Sequence, residues 1–193
     1  MSDHIKAVII VVLSGLIWSL GPLVVKNIID HQIYQLPYLV IRGLTVAIII
    51  ATYLMLNEQK VVFMNVIKID KVSVIGGLSL TTAMVGFIYS ISKTTAAVTL
   101  FMLALMPFLA SLIALVFINE KISKQNFITM IIAFIGALIM IYASAFSGSL
   151  YGLIMGFISS LGFAAFTVAL RSKSNFKKFY ILIYAGIFCA VIS

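Results

Sequence analysis

The sequence predicts an all-α, polytopic helical membrane protein with about seven transmembrane helices and a cytoplasmic N-terminus. Composition, the spacing of the charges and a one-sided distribution of Lys and Arg predict it. Apolar residues make up 63% of the 193 and charged residues 9%; mean hydropathy is +1.23. A soluble surface carries about a quarter charged residues, so the solvent for most of this chain is lipid. The units to count are apolar segments of roughly 20 residues, enough to cross about 30 Å of hydrocarbon.

Residues 7–25 carry no charge and form the first span. No small-residue cleavage site follows the N-terminal Met-Ser-Asp-His-Ile-Lys, so this reads as a retained span, not a removed signal peptide. The second span covers 36–56, interrupted only by Arg42. Residues 72–118 contain one charge, Lys93. As one helix they would measure roughly 70 Å, so they fold as two spans with a turn near Lys93-Thr94-Thr95. Residues 125–170 have no charge, and the same length argument splits them at the Ser144–Ser149 cluster, where Ser and Gly punctuate helices. A seventh run starts near Phe179 and reaches Ser193 after about 15 residues, short of a full crossing.

Ten Lys and Arg residues (Lys6; Lys60, Lys68, Lys71; Lys121, Lys124; Arg171, Lys173, Lys177, Lys178) fall on one side of this arrangement, and two (Lys26, Lys93) on the other. The positive-inside rule places the ten in the cytoplasm. The net charge of +8 is therefore a topology signal, and no nucleic-acid partner is expected. Expected partners are the lipid bilayer, a small-molecule substrate, and either a second copy or a protein supplying further helices.

The chemistry available at membrane depth is sparse. His4 and His31 lie outside the spans, and none of Asp3, Asp30, Glu58, Asp70 and Glu120 sits mid-span. Carboxylate pairs, His-metal clusters and Ser-His-Asp arrangements have no material. Cys189 is the single cysteine, which excludes a disulfide and a cysteine-built metal site. No cofactor is expected, and no enzymatic activity.

Candidate binding residues come from polar or irregular positions inside spans. Arg42 lies about 9 Å inside the outer face of span two, where an arginine must face protein, water or an anion, or snorkel outward. Tyr38, Arg42, Thr45, Ile49 and Thr52 recur at intervals of three and four, which favours an inward face for that stripe. Thr82, Gly86, Tyr89 and Lys93 form a similar stripe on span three; such hydroxyls bond neighbouring helices or their own backbone, or face a pore. Pro107, near the middle of span four, removes a backbone donor and predicts a kink, which in transporters often lines the solute site. Trp18 lies mid-membrane, away from the interface where Trp is usual, as a cavity wall or a packing residue. Gly148, Gly152, Gly156 and Ser160 on span six, and Thr129, Ala133 and Gly136 on span five, read as close-packing stripes.

Gly15-Leu-Ile-Trp-Ser-Leu-Gly21 recurs 141 positions later as Gly156-Phe-Ile-Ser-Ser-Leu-Gly162, with five of seven positions identical. The copies sit mid-span on helices one and six, which run in opposite directions. With a one-residue shift, Tyr38–Ile41 of span two pairs with Tyr180–Ile183 of span seven. This predicts inverted five-helix repeats, with residues 1–147 as a complete first repeat and 148–193 as the start of a second.

The first-span Gly-Leu-Ile-Trp-Ser with Pro22 and Lys26, the intramembrane Arg42-Gly43, the run Tyr89…Thr94-Thr95-Ala96-Ala97…Pro107, the ending Phe117-Ile-Asn-Glu-Lys-Ile-Ser123 and then Gly136 together resemble the EamA repeat of the drug/metabolite transporter superfamily. The resemblance covers 7–145 as one repeat and 150–193 as part of another. It implies ten spans, both termini cytoplasmic, and movement of small metabolites, often outward, across the inner (cytoplasmic) membrane. Thr129 stands where the family usually has glycine, and spans eight to ten are absent, so a C-terminal truncation is expected. The function expected is secondary transport by alternating access around a midplane cavity formed by Trp18, Arg42, Thr82, Tyr89, Met106, Pro107 and Ser160. An inactive remnant, a helical subunit needing a partner, and an integral-membrane lipid enzyme are the alternatives.

Overall fold

The computed structural model describes residues 3–27, 34–58, 70–120, 123–144, 149–172 and 177–192. They form α1 (Asp3–Asn27), α2 (Gln35–Glu58), α3 (Lys71–Lys93), α4 (Ala96–Leu103), α5 (Met106–Phe117), α6 (Lys124–Ser144), α7 (Leu150–Arg171) and α8 (Lys177–Ile192), with no strand among the described residues. Helices His4–Asn27, Gln35–Leu56, Lys71–Lys93, Ala96–Phe117 and Leu150–Arg171 are long and apolar enough to cross a membrane; Phe127–Gly136 and Lys178–Ile192 are shorter apolar helices. The polytopic helical class therefore holds, with the last run short as its 16 residues require. Residues 145–148 of the expected break, including Gly148, and the expected topology lysines Lys60, Lys68, Lys121 and Lys173 lie outside the described residues.

Local chemistry sets the helix ends. Asp70 caps α3 by accepting from the Ser73 amide at 3.1 Å and hydroxyl at 2.8 Å. Thr95 caps α4 through the Val98 amide, and Ser149 caps α7 through the Gly152 amide, both at 3.2 Å. Each side chain satisfies an amide that the first helical turn cannot. The turn between α3 and α4 falls at Thr94-Thr95, as the length argument requires. After α5, Asn119 takes the left-handed conformation (φ 52°) and the Glu120 amide donates to the Ala114 carbonyl at 3.2 Å. Asn tolerates that geometry better than most residues, and the resulting reversal aims Glu120 at Arg171 of α7, 3.0 Å away.

Helix α3 is the centre, packed most extensively against α7 and also against α8; α2 packs on α8, and α4 and α5 on α7. Lipid tails give helices no hydrophobic reason to associate, so close backbone contact and hydrogen bonds must hold them. A Cβ on Gly86 would lie 2.7 Å from the Met155 carbonyl oxygen, and one on Gly162 would lie 2.7 Å from the Ser79 oxygen. Ser159 donates across to the Ala83 carbonyl at 2.8 Å, and Thr81 to the Ala185 carbonyl at 3.1 Å. Gly152 and Gly156 of the predicted α7 stripe pack against Thr94, Ser90 and Met102.

The α2–α8 crossing is self-complementary. A Cβ on Gly43 would meet the Cys189 Cβ at 2.6 Å, and one on Gly186 would meet the Ala47 Cβ at 2.6 Å. Under the 142-residue offset, Gly43 falls beside Gly186 and Ala47 on Cys189, so the two contacts are one contact made twice.

One expectation is corrected here and two are narrowed. The inward face of α2 is Gln35, Leu39, Gly43, Ala47 and Leu54, whereas Thr45, Ile49 and Thr52 are exposed. Small residues that let α8 approach decide the facing, and hydroxyls that bond their own helix, as Thr45 bonds the Ile41 carbonyl at 2.7 Å, do not. On α3 the hydroxyl that joins helices belongs to buried Thr81; exposed Thr82 bonds its own turn at Leu78. On α6, a Cβ on Gly136 would meet nothing within 4 Å among the described residues and Thr129 is exposed, so these two positions make no close helix contact there; the Ala133 side chain lies outside the described residues.

Span ends alternate as counted. Lys26 donates to the Thr94 carbonyl at 3.2 Å, and Thr94 touches Gly152, at the first turn of α7. At the other end of α7, Arg171 meets Glu120, and at the matching end of α2, Tyr53 meets Phe179 with ring centroids 5.8 Å apart.

Candidate functional site

Span four keeps helical dihedrals throughout but departs from regular helical hydrogen bonding at Ala104-Leu105. Proline cannot donate an amide hydrogen bond, and its ring disfavours an uninterrupted helix before it. Pro107 falls in the first turn of α5, and Ala104-Leu105 form a turn in which the Leu105 amide bonds the Met102 carbonyl at 3.2 Å. Buried Ser160 of α7 donates its hydroxyl to that same Met102 carbonyl. The irregularity expected at Pro107 is therefore present as a tightened turn, and a serine of the second heptamer copy bonds to it.

A cavity of about 340 Å³ lies beside this turn, lined by Trp18 of α1, Leu103 and Met106 from either side of it, and Phe163, Phe166 and Thr167 of α7. Trp18 is 43% exposed. Its ring lies 5.8 Å from that of Phe87 and edge-on to Phe163 at 6.3 Å, spacings typical of interacting aromatic pairs. Thr167 donates to the Phe163 carbonyl at 2.8 Å, which leaves its oxygen able only to accept. Among the described residues, no charged side chain lines the cavity.

Of the seven residues singled out by sequence, two, Trp18 and Met106, line this cavity, and Ser160 lies one turn before Phe163 on α7. Pro107 is on the far side of the turn, in a groove of about 190 Å³ with Ala104, Leu105, Phe108, Thr129, Met130 and Phe134. Tyr89 is half-buried near the C-terminal end of α3, edge-on to Tyr151 with centroids 6.4 Å apart. Half-buried Arg42 adjoins the Gly43–Cys189 contact, and Thr82 is exposed on α3; neither lines the cavity. Leu103, Phe163, Phe166 and Thr167 are walls not foreseen. Helical spacing carried the signal for two of them, since Phe163 and Thr167 continue the Ser160 face at three and seven residues.

A separate buried cluster closes the end of the bundle at the α3–α4 turn. The Thr99 hydroxyl lies 3.0 Å from that of Ser90 and 3.1 Å from that of Thr94, and Thr94 also donates to the Ser90 carbonyl at 2.8 Å. Such mutual satisfaction suits a structural plug.

Comparison with curated proteins and with solved structures finds no match for this chain. The family model described as the EamA-like transporter family matches residues 5–142, a stretch that runs from α1 into α6 and takes in Trp18, Arg42, Met106 and Pro107. The chain belongs to the EamA-like transporter family, membrane transporters of the drug/metabolite type.

Proposed function

We propose that the protein is a secondary transporter that moves a small organic metabolite, in the outward direction, by alternating access across the cytoplasmic membrane. The observation that carries this reading is the aromatic cavity beside the tightened turn of the fourth span, walled by helices α1 and α7 that bear the two heptamer copies. Irregular helix at membrane depth is where such transporters often place solute. Residues 1–147 form the first five-helix unit and 148–193 the start of its inverted counterpart; the doubled Gly43–Cys189 and Gly186–Ala47 contact supports a two-fold axis between them. The ten-to-two distribution of basic residues supports a cytoplasmic N-terminus.

Exchange or uniport is favoured over proton coupling. Asp70 is spent capping α3 and Glu120 pairs with Arg171, both at helix ends, so neither is placed for a mid-membrane proton relay. Vesicles reconstituted with the protein should pass uncharged organic solutes faster than protein-free vesicles. Trp18→Ala should cut that flux by about tenfold or more, a loss of at least about 1.4 kcal/mol of transition-state stabilisation, while Arg42→Ala leaves it within about twofold. Flux no faster than in empty vesicles would end the reading, and a steep response to an imposed pH gradient would overturn the uncoupled mechanism.

A second reading, a helical subunit working with a second chain, is favoured by one observation: a Cβ on Gly15 or Gly21 of α1 would meet nothing within 4 Å among the described residues. A cysteine at position 15, with Cys189 replaced by alanine, should then cross-link in native membranes; absence of any cross-linked species would remove it.

A further inference from the structure

We infer that the cavity selects uncharged solutes carrying a planar aromatic ring, and rejects carboxylates of the same shape. This rests on the transporter reading for its purpose, but the binding it describes is a property of the cavity alone.

Three of the six walls, Trp18, Phe163 and Phe166, are aromatic, and Leu103 and Met106 add apolar and polarisable surface. Ring walls gain from an inserted ring through offset and edge contacts that a saturated chain cannot return. Thioether sulfur adds to this, since it also contacts ring edges favourably. The volume of about 340 Å³ is at the small end of the roughly 300–1,000 Å³ found for ligand pockets, which suits one or two fused rings.

The polar side-chain groups of the described walls are the Thr167 hydroxyl and the Trp18 indole N–H, a single neutral donor. Thr167 has committed its proton to the Phe163 carbonyl and can only accept. Pro107 has no N–H to offer the Leu103 carbonyl four residues back. A carboxylate here would find no counter-charge among the described residues, and burying an unpaired charge is far more costly than burying a neutral polar group. Arg42, the intramembrane cation that could have answered it, lies outside the cavity on α2. A neutral amide, amine or phenol can donate to these acceptors and meets no such penalty.

Trp18 is the only tryptophan in the chain, so intrinsic fluorescence of the intact protein in detergent reports the cavity directly. The probes are 4-nitrobenzamide and 4-nitrobenzoate, two quenchers of nearly the same shape that differ in charge. The amide should quench saturably with a dissociation constant at least about tenfold lower than the acid. Phe163→Leu, which removes a ring while keeping an apolar wall, should weaken the amide about fivefold or more, and Met106→Ala provides a second variant should the first not fold. Equal quenching by both probes, quenching that never saturates, or saturation undisturbed in both variants would overturn the inference. Quenching by lipids brominated on their acyl chains that the amide cannot relieve would also overturn it, by assigning the cavity to lipid. Saturable, charge-selective quenching without any flux in vesicles would leave the site standing and sink the transporter reading instead; flux of other solutes without amide binding would do the reverse.

Discussion

The two copies of the heptamer have nearly the same sequence and opposite surroundings. In α7, a Cβ on Gly156 would lie 2.9 Å from both Met102 Cγ and Ser90 Oγ, and Gly162 lies against the backbone of α3. Ser159 and Ser160 are fully buried and donate across to Ala83 and Met102. In α1, a Cβ on Gly15 or Gly21 would meet nothing within 4 Å among the described residues, and Ser19 turns back to its own Leu16 carbonyl at 2.7 Å. Small residues permit close helix packing and do not compel it. The neighbour decides: α3 lies backbone-close against the second copy and meets the first through the Trp18–Phe87 ring contact.

That difference can be broken or sharpened by matched substitutions, read as thermal midpoints in detergent. The largest gap is expected at the last glycine of each copy. Gly162→Leu drives a side chain into the Ser79 carbonyl and the Ala83 backbone, neither of which can yield as a flexible side chain could, and should abolish the folded species. Gly21→Leu should leave it intact. Gly156→Leu, whose nearest neighbours are side chains able to shift, should cost about 1–3 kcal/mol as overpacking, while Gly15→Leu should be neutral or stabilise by roughly 0.5–1 kcal/mol because glycine is a poor helix former. Ser160→Ala should cost about 0.6–1.7 kcal/mol, the range for hydrogen bonds between membrane helices, against nothing measurable for Ser19→Ala. The smallest effect belongs to Arg171→Gln, since its half-exposed pair with Glu120 is worth at most about 1 kcal/mol. Equal losses at matched positions would show that α1 is as tightly packed as α7.

Much of the architecture was legible in one dimension because lipid imposes a length and a hydropathy on every crossing. The break at Thr94-Thr95, the tightened turn before Pro107 and the start of α7 after Ser149 followed from span length, proline chemistry and helix punctuation. Facing was harder to read. The polar stripe through Arg42 and Thr45 suggested the inward side of α2, but a threonine in lipid satisfies itself by bonding its own helix, as Thr45 does, so hydroxyls need not face protein. Gly43 and Ala47 carried the better signal, through the space they leave for Gly186 and Cys189. The cavity was half legible: Trp18 and Met106 stood out by residue type and place, whereas Phe163 and Phe166 look like any other apolar residues of a membrane helix until α1 and the fourth span are set beside them.

Whether the cavity opens to both sides of the membrane bears most directly on the account. With Cys189 replaced by alanine, Thr167→Cys puts the only thiol on the cavity wall, and a membrane-impermeant maleimide can be applied from either face of oriented vesicles. Alternating access predicts labelling from both faces, slowed on both by a neutral aromatic solute. Labelling from one face alone, or from neither, whatever the solute present, would contradict it.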